Sequence, residues 1–322
     1  TGSTEWGEEL ADELRAGAVA YLNVDGSTSG SSFQAGGVPS LNRLVAQVAR
    51  DVEDPASGGS LLEAWRADRA GEAGAGVIGG RAAGEEEAGD PVDFVGNELG
   101  SGSDYTVFLN YLGVPIMDLS FDGPYGVYHS KYDNRYWMEN FGDPGYRYMT
   151  TMADVWGRMA LRLANAPVHP FDFGLYAERV EGFVHELARE PGVDRNLDLT
   201  RVRGAVAAWK DAASRLEEAV AAALAEEELG GTAGASDRFR ALNERLLSVE
   251  RLFLLEEGIP DRPWYRHALY APRYTYLPLM LPGVTEAVEE GEWERARRQA
   301  ALLAERLRAV AGALEEAAGL VP

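Results

Sequence analysis

One histidine, His129, stands among Tyr125, Tyr128, Tyr132, Tyr136 and Trp137, with Asp133 close by in sequence. The whole chain has four histidines. A neutral imidazole held in a rigid aromatic loop is suited to ligate a metal. A loop histidine fixed by ordinary hydrogen bonds is the competing reading. Asp25 is the second residue placed for chemistry. It ends the apolar run Ala18–Val24 and is followed by Gly26. Such a run reads as a buried parallel strand, and ligands gather at the carboxyl ends of strands in open α/β sheets. A turn-forming Asp-Gly pair explains Asp25 equally well. There is no cysteine, so any metal here must be held by His, Asp and Glu.

The elements that would position these residues follow from periodicity. Glu5–Ala16 is spaced as a helix, with Trp6, Leu10 and Leu14 on one stripe and Thr4 as its N-cap. Val38–Val52 and Ser60–Arg66 read as further helices. Residues 70–92, mostly Gly, Ala and Glu, read as a flexible insertion. Gly100-Ser101-Gly102-Ser103-Asp104 opens a helix at Tyr105–Leu112, and small residues there allow close approach of backbone or ligand. A strand at Val114–Leu119 and a helix at Met149–Asn165 complete the first part. Beyond Pro167–Pro170 the strand signals stop. Leu175–Leu187, Leu199–Leu224, Ser236–Leu255 and Glu292–Leu314 read as helices, broken by a loop at 258–272 rich in Pro, Arg and aromatics. The fold class expected is α/β followed by all-α, with domains at 1–168 and 169–322.

Composition narrows the functions open to the chain. Its 322 residues are 46% hydrophobic, enough for a sizeable core. The net charge is −22, and no basic face is evident. That argues against nucleic acid and against anionic membrane surfaces as partners. No apolar run is long enough to span a bilayer. The acidic runs at 85–87 and 226–228 read as solvated faces.

Several motifs agree in order and spacing with one family. They are Gly2-Ser3-Thr4-Glu5-Trp6, Ala20-Tyr21-Leu22-Asn23-Val24-Asp25, Leu99-Gly100-Ser101-Gly102-Ser103-Asp104, Tyr128-His129-Ser130, Pro170-Phe171-Asp172, and Pro260-Asp261-Arg262-Pro263-Trp264-Tyr265-Arg266-His267. With these the chain resembles the glutamate carboxypeptidase II and transferrin receptor-like group of the M28 zinc peptidases, over nearly its whole length. The resemblance implies a partial zinc-exopeptidase sheet flanked by helices, then a helical dimerisation domain. It also implies that a general-base glutamate, further zinc ligands and an apical domain lie upstream of Thr1, so the chain is expected to be a C-terminal part, inactive alone.

Carried over residue by residue, the resemblance makes Asp25 a ligand of one zinc and His129 a ligand of the other. Tyr128 would steady the carbonyl oxygen of the scissile bond. Gly102 and Ser103 would line the substrate cleft, and Tyr276 would bind the substrate's terminal carboxylate. Glu5 and Glu8 match two carboxylates of a structural calcium site. The lysine that grips a glutamate side chain is missing beside Tyr276, and Asp118 and Ser120 stand where an arginine patch would lie. The expected activity is therefore exopeptidase cleavage of small peptides, amino- or carboxypeptidase, by a two-zinc homodimer, extracytoplasmic as relatives often are. The alternative is a non-catalytic, transferrin receptor-like binding protein.

Overall fold

The structure, a computed structural model, describes residues 2–75, 90–230 and 238–321. In chain order its elements are α1 (Gly2–Glu9), α2 (Ala11–Gly17), β1 (Tyr21–Asn23), β2 (Ser32–Gly37), α3 (Asn42–Asp51), α4 (Leu61–Ala75), α5 (Tyr105–Val107), β3 (Ile116–Asp122), α6 (Arg135–Trp137), α7 (Arg147–Asn165), α8 (Phe173–Leu187), α9 (Val193–Asn196), α10 (Thr200–Gly230), α11 (Arg240–Leu247), β4 (Tyr270–Arg273), β5 (Leu277–Met280), α12 (Pro282–Glu289) and α13 (Trp293–Gly319). Two π-helical turns, Phe108–Leu112 and Met138–Gly142, extend α5 and α6. Most of the expected insertion at 70–92 lies outside the described residues.

β3 is the centre of a three-stranded sheet, with β1 on one side and β2 on the other. β1 runs parallel to it, pairing Asn23 with Asp118. β2 runs antiparallel, pairing Phe33 with Phe121. The sheet is thus mixed, and the parallel strand expected over Ala18–Val24 is regular only at Tyr21–Asn23. β3 buries Ile116, Met117, Leu119 and Phe121. A fully buried aliphatic or aromatic side chain contributes about 1.5–3 kcal/mol, so this strand anchors the sheet. Phe33 meets Trp65 of α4 edge-on at 4.9 Å, which fixes that helix over one face.

The first helix differs from its sequence reading. It starts at Gly2 and bends at Leu10, whose N–H still reaches Trp6 O at 3.0 Å. Trp6 is 48% exposed and so is not part of a buried stripe.

The second half is mainly helical. α10 and α13 lie side by side, burying Val202, Val206, Trp209 and Leu216 on one and Leu303, Leu307, Val310 and Leu314 on the other. The steps are of three, four or seven residues, which keep to one stripe of an α-helix. The reading that strands cease after Pro170 is corrected by β4 and β5, an antiparallel hairpin. Pro272 pairs with Pro278 there. Two prolines can face each other only where the N–H groups are not needed for the ladder. The Pro272 carbonyl faces away and accepts from Arg262.

The junction near residue 170 is firmly tied. Asp172 caps α8 by accepting from Leu175 N at 2.8 Å and accepts from Arg43 Nε of α3 at 2.8 Å. Its own N–H donates to Ser40 O at 2.9 Å. One contiguous cluster of buried side chains runs from Phe33 to Ala317. Among the described residues no helix is long and apolar enough to cross a membrane.

Candidate functional site

Because β1 and β3 are parallel, their carboxyl ends form one edge of the sheet. Asp25 leaves that edge two residues after β1, and the His129 loop leaves it after Asp122. The two loops touch. Gly30 lies against the start of the His129 loop so closely that a Cβ would stand 2.4 Å from Asp122 O and from Gly123 Cα. Only glycine permits that approach. Asp25 and His129 are both exposed, and neither makes a hydrogen bond to another described residue. His129 has φ +57°, a left-handed conformation that costs a non-glycine residue about 1–2 kcal/mol. Such local strain is tolerated where surrounding structure imposes it.

Aromatic rings hold the loop. The His129 imidazole stacks on Tyr128 at 3.8 Å and 19°. Tyr125 lies 5.8 Å from Tyr128 and 4.9 Å from Trp137. Ser130 Oγ donates to Val127 O at 2.7 Å, and Asn134 caps α6 by accepting from Trp137 N at 3.1 Å. The Tyr125 hydroxyl donates to Asp133. Desolvation, with the Asp133 bond second, raises Tyr125 to about 12. Tyr128 is 64% exposed, so its hydroxyl is available to a ligand.

A second wall comes from Gly100–Asp104 and the β4–β5 tip. Asn23 Nδ2 donates to Ser103 Oγ at 2.8 Å and to Asp118 Oδ1 at 2.7 Å. It ties β1, β3 and this loop together. Gly102 has φ +118°, and a Cβ there would stand 2.8 Å from the Tyr276 ring. Ser101 N donates to Tyr276 O at 3.2 Å, and Ser101 Oγ to Thr275 O at 2.7 Å. The helical half thus reaches into the sheet half through Tyr276, as the sequence reading requires if the two share a cleft. The edge is acidic. Burial raises the Asp118 carboxyl, and the neighbouring Asp25 and Asp122 charges push it the same way against the Asn23 bond. Burial, then Asp104, Asp118 and Asp25, likewise raise the Tyr21 hydroxyl.

Asn23, Ser101 and Gly100 were not singled out as site residues from sequence. The available signal was one polar residue, Asn23, inside an otherwise apolar run.

A carboxylate and an imidazole are donor types that zinc accepts. They are a part-set: no three His, Asp or Glu among the described residues come together as a metal site. Glu5 is exposed, and Glu8 Oε1 accepts the Trp264 indole N–H at 2.5 Å. Calcium takes six to eight oxygens, so those two carboxylates alone are also incomplete.

Residues 197–315 match the transferrin receptor-like dimerisation domain. A probable glutamate carboxypeptidase of Arabidopsis thaliana is 34% identical over 309 residues, covering 92% of this chain and 40% of the relative. The chain belongs to the glutamate carboxypeptidase and transferrin receptor-like group. An aminopeptidase of Mus musculus is 28% identical, covering 99% of this chain and 43% of its own length. An inactive zinc metalloprotease of Schizosaccharomyces pombe is 26% identical, with 92% and 35% covered. The chain therefore spans about two fifths of the length of these relatives. The dimerisation match covers α10 to α12 and most of α13 and begins after α8. The group is one of peptidases with at least one member named inactive.

Proposed function

We propose that, in a polypeptide of its relatives' length, this chain is the second part of a zinc-dependent exopeptidase acting on small peptides. The observation that carries this reading is the shared sheet edge, from which the touching Asp25 and His129 loops both leave, with Tyr276 packed on Gly102 in the loop bonded to Asn23. Asp25 and His129 would each hold one zinc, with the remaining ligands supplied from outside these residues. Bound zinc would polarise the peptide carbonyl and activate water. The Tyr128 hydroxyl, held beside His129, would donate to the carbonyl oxygen as charge develops on it. Gly102 and Ser103 would offer backbone close to the substrate, with Tyr276 closing the far side.

The acidic edge disfavours a glutamate side chain at Asp118. It suits a substrate with an uncharged or cationic group there, so broad exopeptidase cleavage is preferred over glutamate release. The matched dimerisation domain supports a homodimer through the α10–α13 region, testable by sedimentation. A receptor-like, non-catalytic role is the competing reading, supported by the relative named inactive.

Tyr128→Phe tests the oxyanion role. Loss of one such donor costs about 10²–10³ in kcat, with little change in KM across a panel of dipeptides. Unchanged kcat would remove Tyr128 from the mechanism.

A further inference from the structure

Away from the sheet edge, three arginines gather, and none of them forms an ion pair with a described carboxylate. Arg15 of α2 lies over the Tyr111 ring at 5.4 Å, and Arg266 lies over the same ring at 4.6 Å. Arg251 lies close enough to Arg15 that the second charge lowers its own proton affinity, after burial has done so. Its Cα also sits against Gly113, two residues past Tyr111, where a Cβ would stand at 2.8 Å. Arg15 Nη2 donates to Tyr111 O at 3.2 Å. Arg251 Nε and Nη2 and Arg266 Nε are buried without a partner. Fully buried Asn110, whose carbonyl accepts from Arg266 N at 2.9 Å, also leaves both side-chain amide atoms unpartnered.

This is unusual in a chain with 52 acidic and 30 basic residues. Several other arginines find carboxylates, as Arg43 does with Asp172 and Arg262 with Glu286. Two acids close to this cluster in contact or in sequence already accept hydrogen bonds. Glu8 accepts from Trp264, which itself stacks on Tyr111, and Glu250, next in sequence to Arg251, accepts from Tyr176 and His267 through Oε1 while its Oε2 is buried without a partner. Guanidinium groups brought together with orphaned N–H donors lack only an oxyanion.

We propose that Arg15, Arg251 and Arg266, floored by Tyr111, form a binding site for an oxyanion, a carboxylate or phosphate group. Guanidinium donors match both shapes in bidentate fashion. Half-burial keeps salt from screening the site fully. The site is on the α2 side of the helical half, separate from the Asp25 and His129 edge.

The test is thermal unfolding of the 322-residue chain with inorganic phosphate titrated at constant ionic strength. A site of this kind gives a saturable rise in Tm. Arg251→Gln should weaken the apparent phosphate affinity about tenfold or more, since it removes a charge-assisted hydrogen bond. Arg15→Gln, on the face of a surface helix, should weaken it less. Arg158→Gln, at an unrelated ion pair, should leave it unchanged. A phosphate effect that is absent, unsaturable, or equal in all four proteins overturns the site. Sedimentation of the same samples separates the two sources of the anion. Phosphate sensitivity at constant oligomeric state indicates a free anion. A shift in self-association on Arg251→Gln indicates a carboxylate from a second copy.

Discussion

Gly100→Ala probes the contact that joins the helical half to the sheet edge. A Cβ at Gly100 would stand 2.1 Å from Tyr276 O, with Leu277 C and Pro278 N at 2.9 Å. All are backbone atoms, so no side-chain rotation relieves the clash. The β4–β5 tip has to withdraw, which strains or breaks the Ser101 N to Tyr276 O and Ser101 Oγ to Thr275 O bonds. Overpacking costs about 1–3 kcal/mol, and each neutral hydrogen bond nets about 0.5–1.5 kcal/mol. Reduced freedom of the unfolded chain returns about 0.4–1 kcal/mol. The expected loss is therefore about 1–5.5 kcal/mol in urea unfolding. Gly204→Ala is the matched control. Gly204 lies exposed in α10 with open space around its Cβ position. It should gain about 1 kcal/mol from helix propensity. If Gly100→Ala unfolds within about 0.5 kcal/mol of the parent, the hairpin does not rest on this loop, and Tyr276 has no fixed place in the cleft.

Glu250, 2% exposed, accepts from Tyr176 OH at 2.7 Å and from His267 Nε2 at 3.0 Å. His267 Nδ1 accepts from Leu269 N, which assigns the ring proton to Nε2. Glu250→Ala strands two buried donors and should cost about 2–6 kcal/mol, with Glu250→Gln milder; equal losses in the two variants would contradict this. Burial lowers the His169 pKa from 6.5. A depressed histidine contributes stability that is present above 6.5 and lost as pH falls through the lower folded value. The urea midpoint should therefore decline below pH 6.5, and His169→Gln should flatten that decline. The Arg273–Glu289 pair is partly exposed at 2.6 Å, so Arg273→Ala should cost less than about 1 kcal/mol. A larger loss would mean that Arg273 holds β4 by more than its ion pair.

Much of this was legible in sequence where periodicity was strong. α3, α7, α8, α10 and α13 lie close to where their apolar stripes place them. β2 was missed because Ser32-Phe33-Gln34-Ala35-Gly36-Gly37 buries alternate residues but has no β-branched side chain and ends in two glycines. β4 and β5 were missed because Pro272 and Pro278 read as strand breakers, and only their facing register makes them tolerable. The place of Asp25 just past β1 is legible from the apolar run it closes. The two bonds that tie β1 to the Gly100–Asp104 loop and to β3, from Asn23 to Ser103 and to Asp118, span 80 and 95 residues. No local pattern announces a contact of that kind. The left-handed backbone at His129 was equally silent, since histidine gives no sign of it as glycine would.

The most direct test of the metal assignment is zinc content in a protein of the relatives' full length, measured together with dipeptide hydrolysis after removal of loosely bound metal. If Asp25 and His129 each hold an ion, Asp25→Ala and His129→Ala will lose zinc and hydrolysis together while the fold stays unchanged. Full zinc occupancy with undiminished hydrolysis in Asp25→Ala would contradict the assignment.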